Sequence, residues 1–357
     1  MNRDSLNFLG GPWPKAFFGA MSLQAIVGLI CEAYTFAMFQ THLYDKEAAN
    51  ASAATQYKTI PTFLTLFIFG FLYELVLTWD ALRLKNTIQI IGLCIANLAL
   101  LVYTAIQIDQ IETAIDDLDT ANALSGSYTT STGTKVTASE ALWDEIQGPL
   151  IAIPILLAVV TIALSYFSWK LYQAFAWDIL KQIGADYRMK KRFLHYQVYI
   201  ALLKFDFFFF LGFTVQFVVV VGGYGRAEYY ATIAAMPLTI VILLSAAYCV
   251  RHENKPGSYS IIVLYFGGLA YFIFKLFRIY QHAEQYMPVR KSLTAFAVLA
   301  ILLIICTIIN AFYCINNYGN GLKVHLLKST QAPEKSDDGS LDMHHLKSTA
   351  PTRMTID

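Results

Sequence analysis

Six ionisable side chains stand where such groups are costly. Glu32, Glu74, Lys204, Asp206 and Lys275 fall inside long apolar stretches, and Asp80 lies near the end of one. A charge at the centre of a bilayer costs about 2.5–3.5 kcal/mol on insertion scales, so such residues turn inward, pair, or line a pathway. Two chemistries follow. One is structural, with ion pairs that lock helices together. The other is a polar route for a proton, an ion or a solute, with protonation of Glu74 as its switch.

Spacing narrows the partners. Glu32 and Lys275 share a depth and are placed to pair. Asp80 and Lys204 share another depth, nearer the opposite face, and are placed to pair too. Glu74 lies mid-span with no cation at its level. Lys204 and Asp206 are two residues apart, so on a helix they diverge and address different neighbours. Glu74 and Asp80 are six apart, which leaves them about 120° apart around a helix axis. Two separate contacts are therefore expected rather than one carboxylate cluster, with Glu74 and Asp206 facing the bundle interior.

The elements that position these residues are eight apolar stretches: 17–39, 62–83, 87–107, 149–173, 198–222, 231–250, 259–280 and 293–315. Each is long enough to cross the hydrocarbon core as a helix. Helices and closed barrels alone satisfy their backbone hydrogen bonds there. The fold class is thus all-α, a polytopic transmembrane helical bundle of about eight spans. The sixth stretch contains Pro237 and the seventh Lys275. Losing either leaves seven spans, with the termini on opposite sides. Leu84, Lys85 and Asn86 alone join the second and third stretches, which makes those helices antiparallel neighbours.

Composition agrees. Hydrophobic residues make up 56% of the chain and charged residues 14%, against about 25% charged in soluble domains. The lipid bilayer is the expected partner. A net charge of +1 gives no electrostatic support for binding nucleic acid.

Orientation follows from Lys and Arg in the loops. With the N-terminus in the cytosol, the cytosolic segments hold 16 Lys and Arg and the other face holds 7. Both termini are expected to be cytosolic, although Arg278, Arg290 and Lys291 count against this. The expected division is a cytosolic segment 1–16, a transmembrane domain 17–315 and a disordered cytosolic tail 316–357. The 108–148 loop becomes a lumenal acidic feature, with Asp109, Glu112, Asp116, Asp117, Asp119, Glu140, Asp144 and Glu145 against Lys135 alone. Its first part has helical spacing and extends the third helix. GSYTTSTGTKVT reads as a flexible link, and Ser139 as the cap of the next helix. Asn50, in Asn50-Ala51-Ser52, is a candidate N-glycosylation site in the first lumenal loop.

The cytosolic face offers further contacts. Arg188, Lys190, Lys191 and Arg192 cluster before the fifth span and are candidates for anionic lipid headgroups, at roughly 1 kcal/mol each near an acidic surface. The tail repeats Leu-Lys-Ser-Thr at 327–330 and 346–349, which suits a short motif for a cytosolic tail-binding protein. Phe205 and Phe207 to Phe210 surround Asp206 on all sides of one helix and read as packing residues. Gly92-x-x-x-Ala96 and Gly267-Gly268 read as places of close helix approach.

The chain contains no His-Glu-x-x-His, Gly-x-Ser-x-Gly or Walker loop. No catalytic residue, cofactor or metal is expected, and the chain does not read as an enzyme.

Residues 78–107, TWDALRLKNTIQIIGLCIANLALLVYTAIQ, and 183–217, IGADYRMKKRFLHYQVYIALLKFDFFFFLGFTVQF, resemble a fungal family of uncharacterised multi-pass membrane proteins of the Golgi apparatus. The tail entry NNYGNGLK is similar too. The resemblance covers most of residues 17–325. It implies a polytopic fold and a Golgi membrane location, and brings no catalytic residues. The expectation is a Golgi-resident protein acting in transport or membrane homeostasis. The alternative is a seven-span receptor-like or trafficking adaptor that recruits cytosolic partners.

Overall fold

A computed structural model describes residues 11–42, 51–120, 124, 128–129, 135–183, 187–221, 226–281 and 290–319. They form helices α1 (Pro12–Thr41), α2 (Ala51–Arg83), α3 (Thr87–Thr120), α4 (Ala138–Ile183), α5 (Tyr187–Val221), α6 (Arg226–Arg251), α7 (Lys255–Gln281) and α8 (Arg290–Asn316). Each contains a segment long and apolar enough to span a membrane. Among the described residues the count of such helices is eight rather than seven, because α6 runs through Pro237 and α7 carries Lys275 without a break. Pro12 and Pro14 open α1, where a missing N–H leaves no helical bond unmade. The helix therefore begins inside the segment expected to precede it.

The eight helices pack as two four-membered rings. In the first, α1 and α3 each touch α2 and α4; in the second, α5 and α7 each touch α6 and α8. The rings meet where α2 and α3 lie against α5. Two short turns recur at equivalent places. Between α2 and α3, Lys85 takes φ +50° and Asn86 accepts from the N–H groups of Ile88 and Gln89 at 3.1 and 3.2 Å. Between α6 and α7, Glu253 takes φ +54° and Asn254 accepts from the N–H of Gly257 at 3.4 Å. In both, a left-handed residue reverses the chain and an Asn caps the next helix.

The acidic 108–148 segment is largely helical. The extension of α3 buries Ile111, Ile115 and Leu118 against Leu142 and Ile146 at the start of α4, while its carboxylates face outward. The expected cap is corrected here. Thr137, not Ser139, caps α4: Glu140 N–H donates to Thr137 Oγ1 at 3.4 Å, and Thr137 N–H donates to Glu140 Oε2 at 3.3 Å. This reciprocal pair is a capping box. Ser139 Oγ donates instead to Asp119 Oδ2 at 2.9 Å and ties the two arms together. Within the expected flexible link, β1 (Tyr128–Thr129) pairs antiparallel with β2 (Lys135–Val136).

Aromatic packing holds the rings together. Phe205, Phe208, Phe209 and Phe210 are buried. Phe208 stacks on Phe69 and Tyr73, with centroids 5.8 and 5.2 Å away. Gly92 lets α3 meet Phe205, since a Cβ there would lie 2.5 Å from the ring. Gly212 does the same for Phe296. Gly267 and Gly268 do not behave as expected. A Cβ at either meets nothing within 4 Å, so these glycines are not sites of close helix approach. Tail residues from 320 onward lie outside the described residues. Before them, Tyr318 and Ser258 hydroxyls bond at 2.9 Å, and Gly319 N–H donates to Glu253 at 2.9 Å.

Candidate functional site

Three polar layers lie along α3 in the first ring. Gln89, Asn97 and Gln107 lie within about 80° of one another around the axis, and steps of eight and ten residues are about 12 and 15 Å along it. Leu93 and Leu100, both buried, separate the layers.

In the first layer, Asp80 of α2 and Lys204 of α5 form an ion pair. Gln89 closes a triangle with them. Its amide N–H donates to Asp80 Oδ2 at 3.0 Å and to Leu77 O at 2.9 Å, and its Oε1 accepts from Lys204 Nζ at 2.9 Å. These side chains keep partial exposure, 24% for Lys204 and 29% for Asp80. That reduces the desolvation a fully buried pair pays.

In the middle layer, Gln24 of α1 donates one amide hydrogen to Glu74 Oε2 at 3.3 Å and the other to Asn97 Oδ1 at 2.6 Å. Asn97 donates to Thr161 Oγ1 of α4 at 2.8 Å. Four helices thus meet at one polar node. Glu74 is 3% exposed, and its Oε1 has no hydrogen-bond partner among the described residues.

In the third layer, Glu32 of α1 is fully buried and faces the Gln107 amide. Neither of its oxygens makes a well-formed hydrogen bond. The expected pairing of Glu32 with Lys275 does not form. α1 and α7 belong to different rings, and Lys275 Nζ lies 3.7 Å from the centre of the Phe217 ring. Depth alone placed them together; the ring arrangement separates them. Beside this layer, Gln216 of α5 donates to Tyr103 Oη at 2.8 Å and to Ser292 Oγ at 2.7 Å.

Asp206 points away from Lys204, into the second ring, where Thr307 Oγ1 donates to its Oδ2 at 2.6 Å. Among the described residues, Glu32, Glu74 and Asp206 have no Lys or Arg within ion-pair distance; Asp80 does. Most buried polar atoms in proteins are satisfied, so three deep carboxylates without a counter-charge mark the candidate site.

The layers depend on amides that a search restricted to charges overlooks: Gln24, Gln89, Asn97 and Gln107. The signal was present, since polar side chains inside an apolar span seek partners across helices. Arg188, Lys190, Lys191 and Arg192 sit at the start of α5, with Lys190 and Lys191 exposed. Asn50 lies outside the described residues. Among the described residues, no group of three or more His, Cys, Asp or Glu side chains is placed to hold a metal ion.

Over 326 residues the chain is 32% identical to a UPF0658 Golgi apparatus membrane protein of Schizosaccharomyces pombe, covering 88% of this chain and 90% of that protein. The chain belongs to this family of Golgi apparatus membrane proteins. No family model matches the chain, and no solved structure matches it.

Proposed function

We propose that the protein is a proton-linked transport protein of the Golgi membrane, with Glu74 as its switch. The observation that carries this reading is the layering of Asp80, Glu74 and Glu32 along one face of α3, with Gln89 bonded to Asp80 and Gln24 to Glu74 while Glu32 lies fully buried without a bonded partner among the described residues. A carboxyl group without a counter-charge in an apolar interior can take up and release a proton. Glu74 exchanges its Gln24 hydrogen bond as it does so, which couples protonation to contacts among α1, α2, α3 and α4. The buried leucines between layers leave no continuous hydrogen-bonded chain, so transfer requires water entry or helix movement. In this reading the protein is not an enzyme: the polar groups bind and relay rather than attack a substrate.

Orientation belongs to the same proposal, with both termini cytosolic. The end of the bundle bearing the start of α1 also carries Arg83, Lys85, Lys170, Arg188, Lys190, Lys191 and Arg192. The opposite end carries the acidic arms, where Lys291 pairs with Asp109. Lys170 lies 4.8 Å over Trp169 and 5.6 Å over Trp13, an arrangement typical of an interface belt. The basic start of α5 then faces anionic headgroups, with Phe193 and Tyr196 beside it. Protease protection of terminal tags on sealed vesicles checks the orientation.

The transport reading is tested with purified protein in sealed vesicles holding a pH-sensitive dye, with a potassium ionophore to balance charge. Wild-type protein should dissipate an imposed proton gradient, and Glu74→Gln should slow this at least several-fold. Equal rates for wild type and variant, or no protein-dependent flux, would falsify the proposal.

A further inference from the structure

A cavity of about 220 Å³ lies between the rings, with Glu74 in its inner wall. Its mouth runs between α3 and α8, past Ala96, Ala99 and Val102 on one side and Leu299 on the other. These two helices touch only sparsely. Val102 is 57% exposed on the outer surface of a membrane span. The mouth therefore faces the acyl chains of the bilayer rather than water.

The lining fixes the chemistry of an occupant. It is apolar except at Glu74 and two tyrosines. Both tyrosine hydroxyls are engaged: Tyr73 Oη donates to Lys204 O at 2.7 Å, and Tyr103 Oη bonds Gln216 and Ser292. Glu74 Oε1 is buried and without a hydrogen-bond partner. No basic residue lines the space, so a phosphate headgroup has no counter-charge within it. The volume exceeds the roughly 150 Å³ of an engineered cavity that stays dry and binds benzene. It suits a segment of hydrocarbon chain and not a whole phospholipid.

We propose that this cavity binds an uncharged, hydroxyl-bearing lipid that enters sideways from the bilayer between α3 and α8. Its chain lies over the small residues Ala96 and Ala99, and its hydroxyl donates to Glu74 Oε1 once the carboxylate, whose Oε1 exposes almost no surface to the cavity, turns toward it. The inference rests on the reading of Glu74 as the switch, and names the substrate class of that site. Lipid binding supplies the donor that Glu74 lacks and so ties cavity occupancy to the middle layer.

The test uses the full chain in phosphatidylcholine nanodiscs with two photoreactive probes, a diazirine-bearing long-chain alcohol and the matching diazirine alkane. The alcohol should label peptides around Ala96–Val102 and Ala295–Leu299 several-fold more than the lipid-facing surface of α6. Ala99→Phe, which fills the mouth, should remove that excess. Glu74→Leu should erase the preference for alcohol over alkane. Even labelling of all lipid-facing helices, unchanged by Ala99→Phe, overturns the inference even if Glu74→Leu fails to fold. Proton flux sensitive to Glu74→Gln together with such even labelling removes the lipid and leaves the transport reading standing. Specific labelling without proton flux does the reverse.

Discussion

The two rings share a scaffold and differ in what they bury. Each is a closed cycle of four helices, and each reverses its middle pair through a left-handed residue followed by a capping Asn. The first ring fills its interior with three carboxylate layers. The second buries Asp206 with Thr307, bonds the Tyr199 and Tyr265 hydroxyls at 3.1 Å, and lays Lys275 over Phe217. The contrast separates scaffold from chemistry. Short connections and apolar faces are enough to set the ring, and the same ring accepts a ladder of polar nodes or isolated ones.

The contrast can be broken most forcefully at the Asp80–Lys204 pair, which ties the first ring to the second. Lys204→Met should destabilise the purified protein by about 2–3 kcal/mol, below the 3–5 of a fully buried pair because both side chains keep some exposure. Adding Asp80→Asn should recover most of the loss. A single variant as stable as wild type in thermal unfolding would mean that the rings are joined by aromatic packing alone.

Glycine substitutions sharpen the comparison at the next level. Gly92→Ala forces a methyl group against the Phe205 ring and should cost about 1–3 kcal/mol by overpacking. Gly267→Ala, in the second ring, meets open space and should lie within about 0.5 kcal/mol of wild type. Equal melting shifts for the two would place Phe205 elsewhere than against α3.

The smallest effects concern single interhelical hydrogen bonds. Asn97→Leu removes contacts to Gln24 and Thr161, while Thr307→Val removes one contact to Asp206. Such bonds average about 0.6 kcal/mol, with a maximum near 1.7, in membrane proteins. Asn97→Leu should therefore cost more than Thr307→Val by a measurable shift in denaturant midpoint. The reverse order would assign the more important polar node to the second ring.

Eight spans, the tight α2–α3 turn and the helical start of the acidic segment were legible because each depends on local pattern. The Asp80–Lys204 contact was anticipated from equal depth alone, and the packing of α2 against α5 makes it. Glu32 and Lys275 show where that logic stops. Equal depth says nothing about which helices are neighbours, and the ring order is set by packing distributed over whole helices. The amide partners were missed for a different reason. Gln24 and Asn97 carry no charge, so their cost in hydrocarbon becomes visible only when their partners are known. Gly267 and Gly268 carry the opposite lesson, since small residues permit close approach without requiring it.

The central claim is that Glu74 is a proton-binding switch joined to Gln24 in the middle layer. Infrared difference spectroscopy of the reconstituted protein between acid and alkaline buffer measures this directly. The account predicts a protonated-carboxyl stretching band that changes with pH in wild type and loses one component in Glu74→Gln, with a matching change in the amide band assigned through Gln24→Glu. A carboxyl region unaltered by Glu74→Gln would contradict it.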